Sequence, residues 1–189
     1  RESGAKDGFS RKEAQAYLRA SHALGCLAFD QERYQDALVD LERVYAVDQG
    51  AVGTEARLIA GAALLKLKRP ADAVQVLEVA SQSEAGAGRA LLSLGLAQFA
   101  AGDRPAAQAA ILRAVETNSH FGVALLGRVP VHAANLAAAT PGSREEAVGY
   151  AQTFGDAWDK EAKSFFKEVL AGRSADASPA SGAAGAPAE

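Results

Sequence analysis

One helix-turn-helix pattern recurs three times between Leu18 and Phe121, and this repetition constrains the fold more than any other feature. The repeated small residues are glycines spaced 36 and 34 residues apart, each followed twelve residues later by an alanine: Gly25, Gly61, Gly95, Ala37, Ala73 and Ala107. Such a period is typical of solenoids, in which each unit buries its apolar face against the next unit. The sequence therefore predicts binding by a curved helical surface, but it does not name the partner.

Small residues at these positions have a physical reason. Two antiparallel helices can approach closely only where no bulky side chain stands between them. Large apolar residues fill the space beside each contact, at Leu41, Leu77 and Ile111. Each contributes roughly 1.5 to 3 kcal/mol if it is fully buried.

These units resemble the tetratricopeptide repeat (TPR), of the bacterial type. That repeat has small residues at its eighth, twentieth and twenty-seventh positions and large apolar residues at its seventh and twenty-fourth. The resemblance implies an all-α fold: an α-solenoid of three TPR helix-turn-helix repeats followed by C-terminal capping helices. This chain departs from the pattern at the fourth position, ideally aromatic, which holds Ser21, Arg57 and Leu91.

The pattern divides the chain into four segments. We predict a flexible leader over 1–9, the repeats over 10–121 (approximately 18–51, 54–87 and 88–121), capping helices over 122–172 and a disordered tail over 173–189. The tail is predicted to be disordered because it consists almost entirely of Ala, Ser, Gly and Pro.

Two pairs of residues have the form of a capping box, in which a serine and a glutamate satisfy amide donors at a helix start. They are Ser10 with Glu13, and Ser143 with Glu146. The helix that begins after Ser143 is predicted to stop at Gly155, which can adopt the left-handed conformation.

The last helix is predicted to be capped by Asp156, to carry Trp158 and to end near Gly172. We expect it to cover the apolar flank of the last repeat. The succession Pro141-Gly142-Ser143, Tyr150 and Gly155-Asp156-Ala157-Trp158 is similar to part of the suppression-of-tumorigenicity family. That resemblance implies no enzymatic activity.

Charge and cysteine content exclude several classes of function. The net charge of −3 and the pI of about 5.7 offer nothing that attracts nucleic acid or an anionic membrane. The single cysteine, Cys26, excludes an internal disulfide framework, which favours a cytoplasmic location. No apolar stretch reaches the ~18 to 20 residues of a spanning helix, so we expect no membrane insertion. Because the chain begins with Arg1 and contains no methionine, we expect it to be a processed or excised piece.

Few residues suggest chemistry. His22 and Cys26 lie four apart on one helix, a spacing that suits two metal ligands, but no third ligand is near in sequence. His120 and His132 have no serine or cysteine beside them in a recognisable nucleophile context. We therefore predict no catalytic residue, no metal site and no cofactor. A hydrolase or metal enzyme built on His22, Cys26, His120 or His132 is a competing hypothesis.

The positions that face the groove in TPR proteins form an apolar trough here. Its floor is predicted to consist of Phe29, Leu58, Leu65, Leu92, Leu96 and Phe99. Its rim is predicted to consist of Arg19, Glu55, Lys66 and Arg89. An apolar trough with a charged rim suits an amphipathic helix or a short apolar peptide. Chaperone-binding TPR proteins clamp a terminal carboxylate with lysine and asparagine, and the asparagines are missing from these positions.

Two interpretations remain open. In the first, the chain is a non-catalytic adaptor that holds a protein or peptide in the trough. In the second, it is an architectural accessory domain of a larger protein or complex, with the trough filled by its own C-terminal helix.

Overall fold

The structure, a computed structural model, describes residues 11–83, 86–127 and 139–176. Within these ranges the chain forms α-helices, one short 3-10 helix and no strand. The α-helices, in chain order, are α1 (Arg11–Asp30), α2 (Tyr34–Val47), α3 (Ala51–Lys66), α4 (Pro70–Ser81), α5 (Ala87–Ala100), α6 (Arg104–Thr117), α7 (His120–Leu125), α8 (Arg144–Phe154) and α9 (Lys160–Asp176). The 3-10 helix, Gly155–Ala157, directly follows α8 and lies before α9 in the chain. The all-α class is confirmed.

The three glycines have equivalent environments, as the repeat register requires. A Cβ atom at each would lie too close to the large apolar side chain of the paired helix: 2.7 Å from Leu41 at Gly25, 2.6 Å from Leu77 at Gly61 and 2.7 Å from Ile111 at Gly95. Only glycine therefore permits these approaches without a shift of the neighbouring side chain. The paired helices are α1 with α2, α3 with α4, and α5 with α6, and α2 and α4 also pack on the helix that follows them.

A polar contact replaces the aromatic residue that the repeat usually carries at its fourth position. Arg57 of α3 is only 7% exposed and lies over the ring of Tyr45, 5.1 Å from its centroid. Its Nη2 donates to the carbonyl oxygen of Tyr45 at 2.8 Å and to Oε1 of Gln49 at 2.9 Å. Arg57 thus joins the second repeat to the first by cation-π attraction and hydrogen bonds.

The sequence pattern predicts helices over about Tyr34 to Val47 and about Pro70 to Ser81, and α2 and α4 have these bounds. By contrast, α3 begins three residues before the predicted Thr54, at Ala51. The side chain of Asp48 explains this earlier start, because it accepts hydrogen bonds from the amides of Gly50 at 3.3 Å and Gly53 at 2.6 Å. A carboxylate at this place also interacts favourably with the positive end of the helix dipole.

The turn inside each repeat contains one residue with left-handed backbone. The φ angles are 60° at Glu32, 60° at Lys68 and 89° at Gly102. These residues occupy the same position of the three repeats, so the tight turn imposes this conformation whether or not glycine is present.

The predicted capping box at Ser143 is half formed. The Ser143 hydroxyl accepts from the Glu146 amide at 3.1 Å, as expected. The Glu146 carboxylate, however, accepts from the Gly142 amide at 2.8 Å and from Nδ2 of Asn118 at 2.9 Å. Glu146 therefore ties α8 to the end of the third repeat.

Three details of the last segment differ from the prediction. Gly155 has φ −60° and continues into the 3-10 helix instead of adopting the left-handed conformation. Asp159, not Asp156, caps the last helix, because its Oδ1 accepts from the Ala162 amide at 2.8 Å, and Trp158 therefore precedes this helix instead of lying on it. Helix α9 continues past Gly172 to Asp176, so the first four residues of the predicted tail are helical.

The leader 1–9, Ser10 of the first capping box, His132 and the tail beyond Asp176 lie outside the described residues. Within the described ranges, no helix combines the length and the apolar character needed to cross a membrane.

Candidate functional site

The middle of the predicted trough is closed in the structure. Leu58 and Leu92 have no exposed surface, and Leu96 is only 4% exposed. Replacing these residues would therefore damage the core as well as any binding surface. Their predicted role as open floor of a binding site does not fit this burial.

Helix α8 covers part of α5 through a buried hydroxyl. The hydroxyl of Tyr150 lies 3.0 Å from the hydroxyl of Ser93 and accepts a hydrogen bond from Nε1 of Trp158 at 3.2 Å. Burial raises the pKa of Tyr150 to about 12, although these two hydrogen bonds and the charge of Arg89 oppose the rise. The phenol therefore stays protonated and joins the repeats to the closing segment.

Helix α9 covers the end of α5 through stacked rings. Phe99 and Phe165 lie 4.7 Å apart between centroids, with their planes nearly parallel. The guanidinium carbon of Arg104 lies 5.3 Å from both ring centroids. Phe99, one residue of the predicted floor, is therefore covered by the chain's own C-terminal helix.

A cavity of about 570 Å³, which we call the turn pocket, remains open beside these rings. Its lining includes three residues of the predicted floor: Leu65, Leu96 and Phe99. Charged residues of both signs also line it: Lys68, Arg104, Asp159 and Glu161. The pocket thus combines an apolar floor with a rim of mixed charge.

A second cavity of about 180 Å³, which we call the aromatic pocket, lies where α1 meets α2. Its lining includes Phe29 and Lys66, two residues of the predicted trough. The Phe29 and Tyr34 rings meet edge to face, 5.5 Å apart between centroids. Ala157 lines both this cavity and the turn pocket.

A third cavity of about 260 Å³, which we call the ion-pair pocket, has two residues of the predicted rim in its lining, Glu55 and Arg89. Arg89 forms an ion pair with Glu55 at 2.9 Å and a longer one with Glu146 at 3.7 Å. Because the predicted rim residues Arg89 and Glu55 pair with each other, they are less available to a partner. Arg19, also predicted at the rim, is exposed on α1.

The structure therefore distributes the ten predicted residues over three separate cavities, the buried core and the surface of α1. Sequence reasoning assigned Trp158 to the closing segment but missed Tyr150 as a residue of this face, and it missed the charges Lys68, Arg104, Asp159 and Glu161 around the turn pocket. Two of these charges, Lys68 and Arg104, could have been predicted from the sequence, because they lie at the turns of successive repeats. No local pattern marks the others.

His22 and Cys26 do lie side by side. The Cys26 sulfur is 3.7 Å from Nδ1 and 3.8 Å from Nε2 of His22. Burial, and then the charges of Glu55 and Asp30, raise the pKa of the Cys26 thiol. A raised pKa disfavours the thiolate that nucleophilic or metal-binding chemistry requires. Among the described residues, no group of three His, Cys, Asp or Glu side chains is placed to hold a metal ion.

A comparison of structures, and not of sequences, found a known protein that this chain resembles. No family model matches the sequence, and no curated protein matches it. Among solved structures, the chain is similar to the crystal structure of MamA, a TPR-containing protein, with a TM-score of 0.53 and 23% identity. The match covers 80% of this chain and 84% of that chain. This likeness shows a TPR-type helical fold, and the similarity of the C-terminal segment to the suppression-of-tumorigenicity family stays a prediction.

Proposed function

We propose that this chain is a non-catalytic protein-interaction scaffold and that it binds a short peptide segment of a partner protein in the turn pocket. The observation that carries the proposal is the pocket itself, a cavity with Leu65, Leu96 and Phe99 in its lining. Its volume of about 570 Å³ lies within the usual range of about 300 to 1,000 Å³ for ligand sites. A TPR-type solenoid presents a concave face of the kind that repeat proteins use for binding.

The chemistry of the pocket indicates the kind of segment it takes. The apolar floor suits one or two large apolar side chains. Lys68 and Arg104 suit an acidic neighbour in the bound segment, and Asp159 with Glu161 suit a basic one. The preferred ligand is therefore an apolar anchor flanked by charges of opposite sign.

The alternative function is an architectural accessory domain of a larger protein or complex. The closure of the trough favours it, because Tyr150, Trp158 and Phe165 bury surface that a long helical ligand would need. In that case the turn pocket has no peptide ligand, and the outer surfaces alone make contacts.

Selection from a displayed peptide library separates the two. We expect selected peptides to carry an apolar anchor and to lose at least tenfold in affinity for Leu65→Glu and for Lys68→Glu. The matched control is Val79→Glu, since Val79 is 46% exposed on α4 and does not line the pocket. The affinity of the selected peptides for this control variant should change less than twofold.

Circular dichroism of each variant checks that the fold is retained. The scaffold proposal fails if no peptide is selected, or if the selected peptides bind Leu65→Glu and the control equally well.

A further inference from the structure

The face of α1 that points away from the repeats carries an uncovered apolar stripe. Tyr17, Leu24 and Leu27 are 53%, 55% and 50% exposed, and among the described helices α1 carries the most exposed large apolar side chains. They recur at helical spacing, and exposed alanines at positions 16, 20 and 23 lie among them. None of the six residues is charged. We call this surface the α1 stripe.

The internal repeat shows that this face is normally covered. The residues that correspond to Ala20, Leu24 and Leu27 in the second and third repeats are nearly or fully buried: Ala56, Ala60, Ala63, Ala90, Leu94 and Ala97. In those repeats, α2 packs on α3 and α4 packs on α5. In the described part of the chain, no helix takes the equivalent place on α1.

Two side chains of the α1 stripe, Tyr17 and Leu27, are larger than their counterparts in both other repeats. Leu27 corresponds to Ala63 and Ala97, and Tyr17 corresponds to Gly53 and Ala87. A helix docked as closely as α2 is on α3 would meet these larger groups. The occupant must instead offer small residues where α1 has large ones.

The α1 stripe itself has this complementarity. If two copies of α1 pack antiparallel about a two-fold axis near position 22, Ala20 of one copy faces Leu24 of the other, and Tyr17 faces Leu27. Each contact then pairs a small residue with a large one, or an aromatic residue with an aliphatic one. An isologous interface of this kind closes as a dimer.

We propose that the occupant of the α1 stripe is the α1 stripe of a second copy of this chain, packed antiparallel in this register. The leader offers no competing cover in its sequence, because residues 1–10 contain one large apolar side chain, Phe9, and two glycines. The proposal concerns a surface separate from the turn pocket, so either proposal can fail without the other.

Sedimentation of the full chain tests the proposal. One helical stripe is smaller than a standard interface of about 1,600 Å², so the dimer is weak and requires concentrations on the order of 100 µM. At such concentrations we expect the average mass to rise towards twice 19.5 kDa. Leu24→Glu with Leu27→Glu should remain monomeric with unchanged helicity. Val79→Glu with Val123→Glu, which change residues 46% and 41% exposed on other helices, should still dimerise.

Disulfide trapping tests the register. In a Cys26→Ser background, an Ala20→Cys chain mixed with a Leu24→Cys chain, with oxidised glutathione as the oxidant, should give mainly mixed disulfides. A Leu24→Cys chain that links mainly to itself indicates parallel packing and overturns the proposal. A chain that stays monomeric at all concentrations, or a dimer that survives Leu24→Glu with Leu27→Glu, also overturns it.

Discussion

The left-handed residue in each repeat turn has a stability cost that depends on its side chain. Lys68 has a φ of 60°, whereas the corresponding Gly102, at 89°, carries no Cβ. A non-glycine residue pays about 1 kcal/mol or more for this conformation. The turn requires the angle, so the sequence accepts the cost in two of the three repeats.

Lys68→Gly should therefore raise the free energy of unfolding by about 0.5 to 1 kcal/mol, measured by urea denaturation. Gly102→Ala is the matched control, because no heavy atom lies within 4 Å of the added Cβ and only the backbone angle matters. It should lower stability by about 1 kcal/mol. A destabilised Lys68→Gly would show that the lysine side chain contributes more than its backbone angle costs.

The glycine contacts between paired helices make a second prediction. Gly61→Ala places a Cβ 2.6 Å from Cγ of Leu77, and we expect a loss of about 1 to 3 kcal/mol in urea denaturation. Gly172→Ala in α9 meets no heavy atom within 4 Å, so its better helix propensity should stabilise the chain by up to about 1 kcal/mol. Equal effects from both changes would contradict the close contact.

The buried phenol of Tyr150 makes stability depend on alkaline pH. Its pKa is about 12 in the folded chain and about 10 in the unfolded chain, so the unfolded state loses its proton first as the pH rises. The contribution is complete below pH ~10 and is lost between pH ~10 and ~12, on the order of 2 kcal/mol.

Tyr150→Phe should remove most of this decline while lowering stability at pH 7 by about 1 to 3 kcal/mol, because Nε1 of Trp158 loses its acceptor. Denaturation at a series of pH values measures both effects. Tyr45 and Cys26, whose pKa values are also raised by burial, remain in the variant and contribute to the residual slope. An unchanged slope in Tyr150→Phe would contradict the assignment.

At the scale of elements, α9 acts as a lid on the third repeat. Phe165 is 7% exposed and stacks on Phe99, so Phe165→Ala should cost about 3 to 5 kcal/mol in urea denaturation. Lys167→Ala on the exposed side of α9 should change stability by less than about 0.5 kcal/mol. A small loss for Phe165→Ala would indicate that α9 is loosely held.

Local signals in the sequence were sufficient for the repeat helices. Pro70 and the preceding basic turn set the start of α4, and the glycine spacing set the pairing of helices. The closure of the trough was harder to predict, because Ser93 and Tyr150 are 57 residues apart and no periodicity records their contact. Similarly, the apolar residues of α5 predict burial but not whether a partner or the chain itself provides the cover.

At the scale of the whole molecule, the solenoid is unevenly protected. Helices α3 and α5 have neighbours on both flanks, whereas α1 packs mainly on α2 and leaves the α1 stripe exposed. Terminal units of repeat proteins are stabilised by one interface instead of two.

In hydrogen exchange at a low concentration, where the chain is monomeric, amides of α1 should therefore exchange well before those of α3 and α5. At a concentration on the order of 100 µM, amide exchange in α1 should become selectively slower if the dimer covers the α1 stripe. Equal protection of all three helices at low concentration would contradict the uneven stability.

Ala157 lies in the lining of both the turn pocket and the aromatic pocket, so the end of the 3-10 helix is a divider between the two cavities. A ligand that reaches both cavities has to straddle this divider with an anchor on each side. A continuous rigid rod cannot do so without displacing the divider, whereas an extended strand of a few residues can bend around it. If a peptide occupies the turn pocket as proposed, its reach into the aromatic pocket therefore depends on its length and flexibility as well as on its composition.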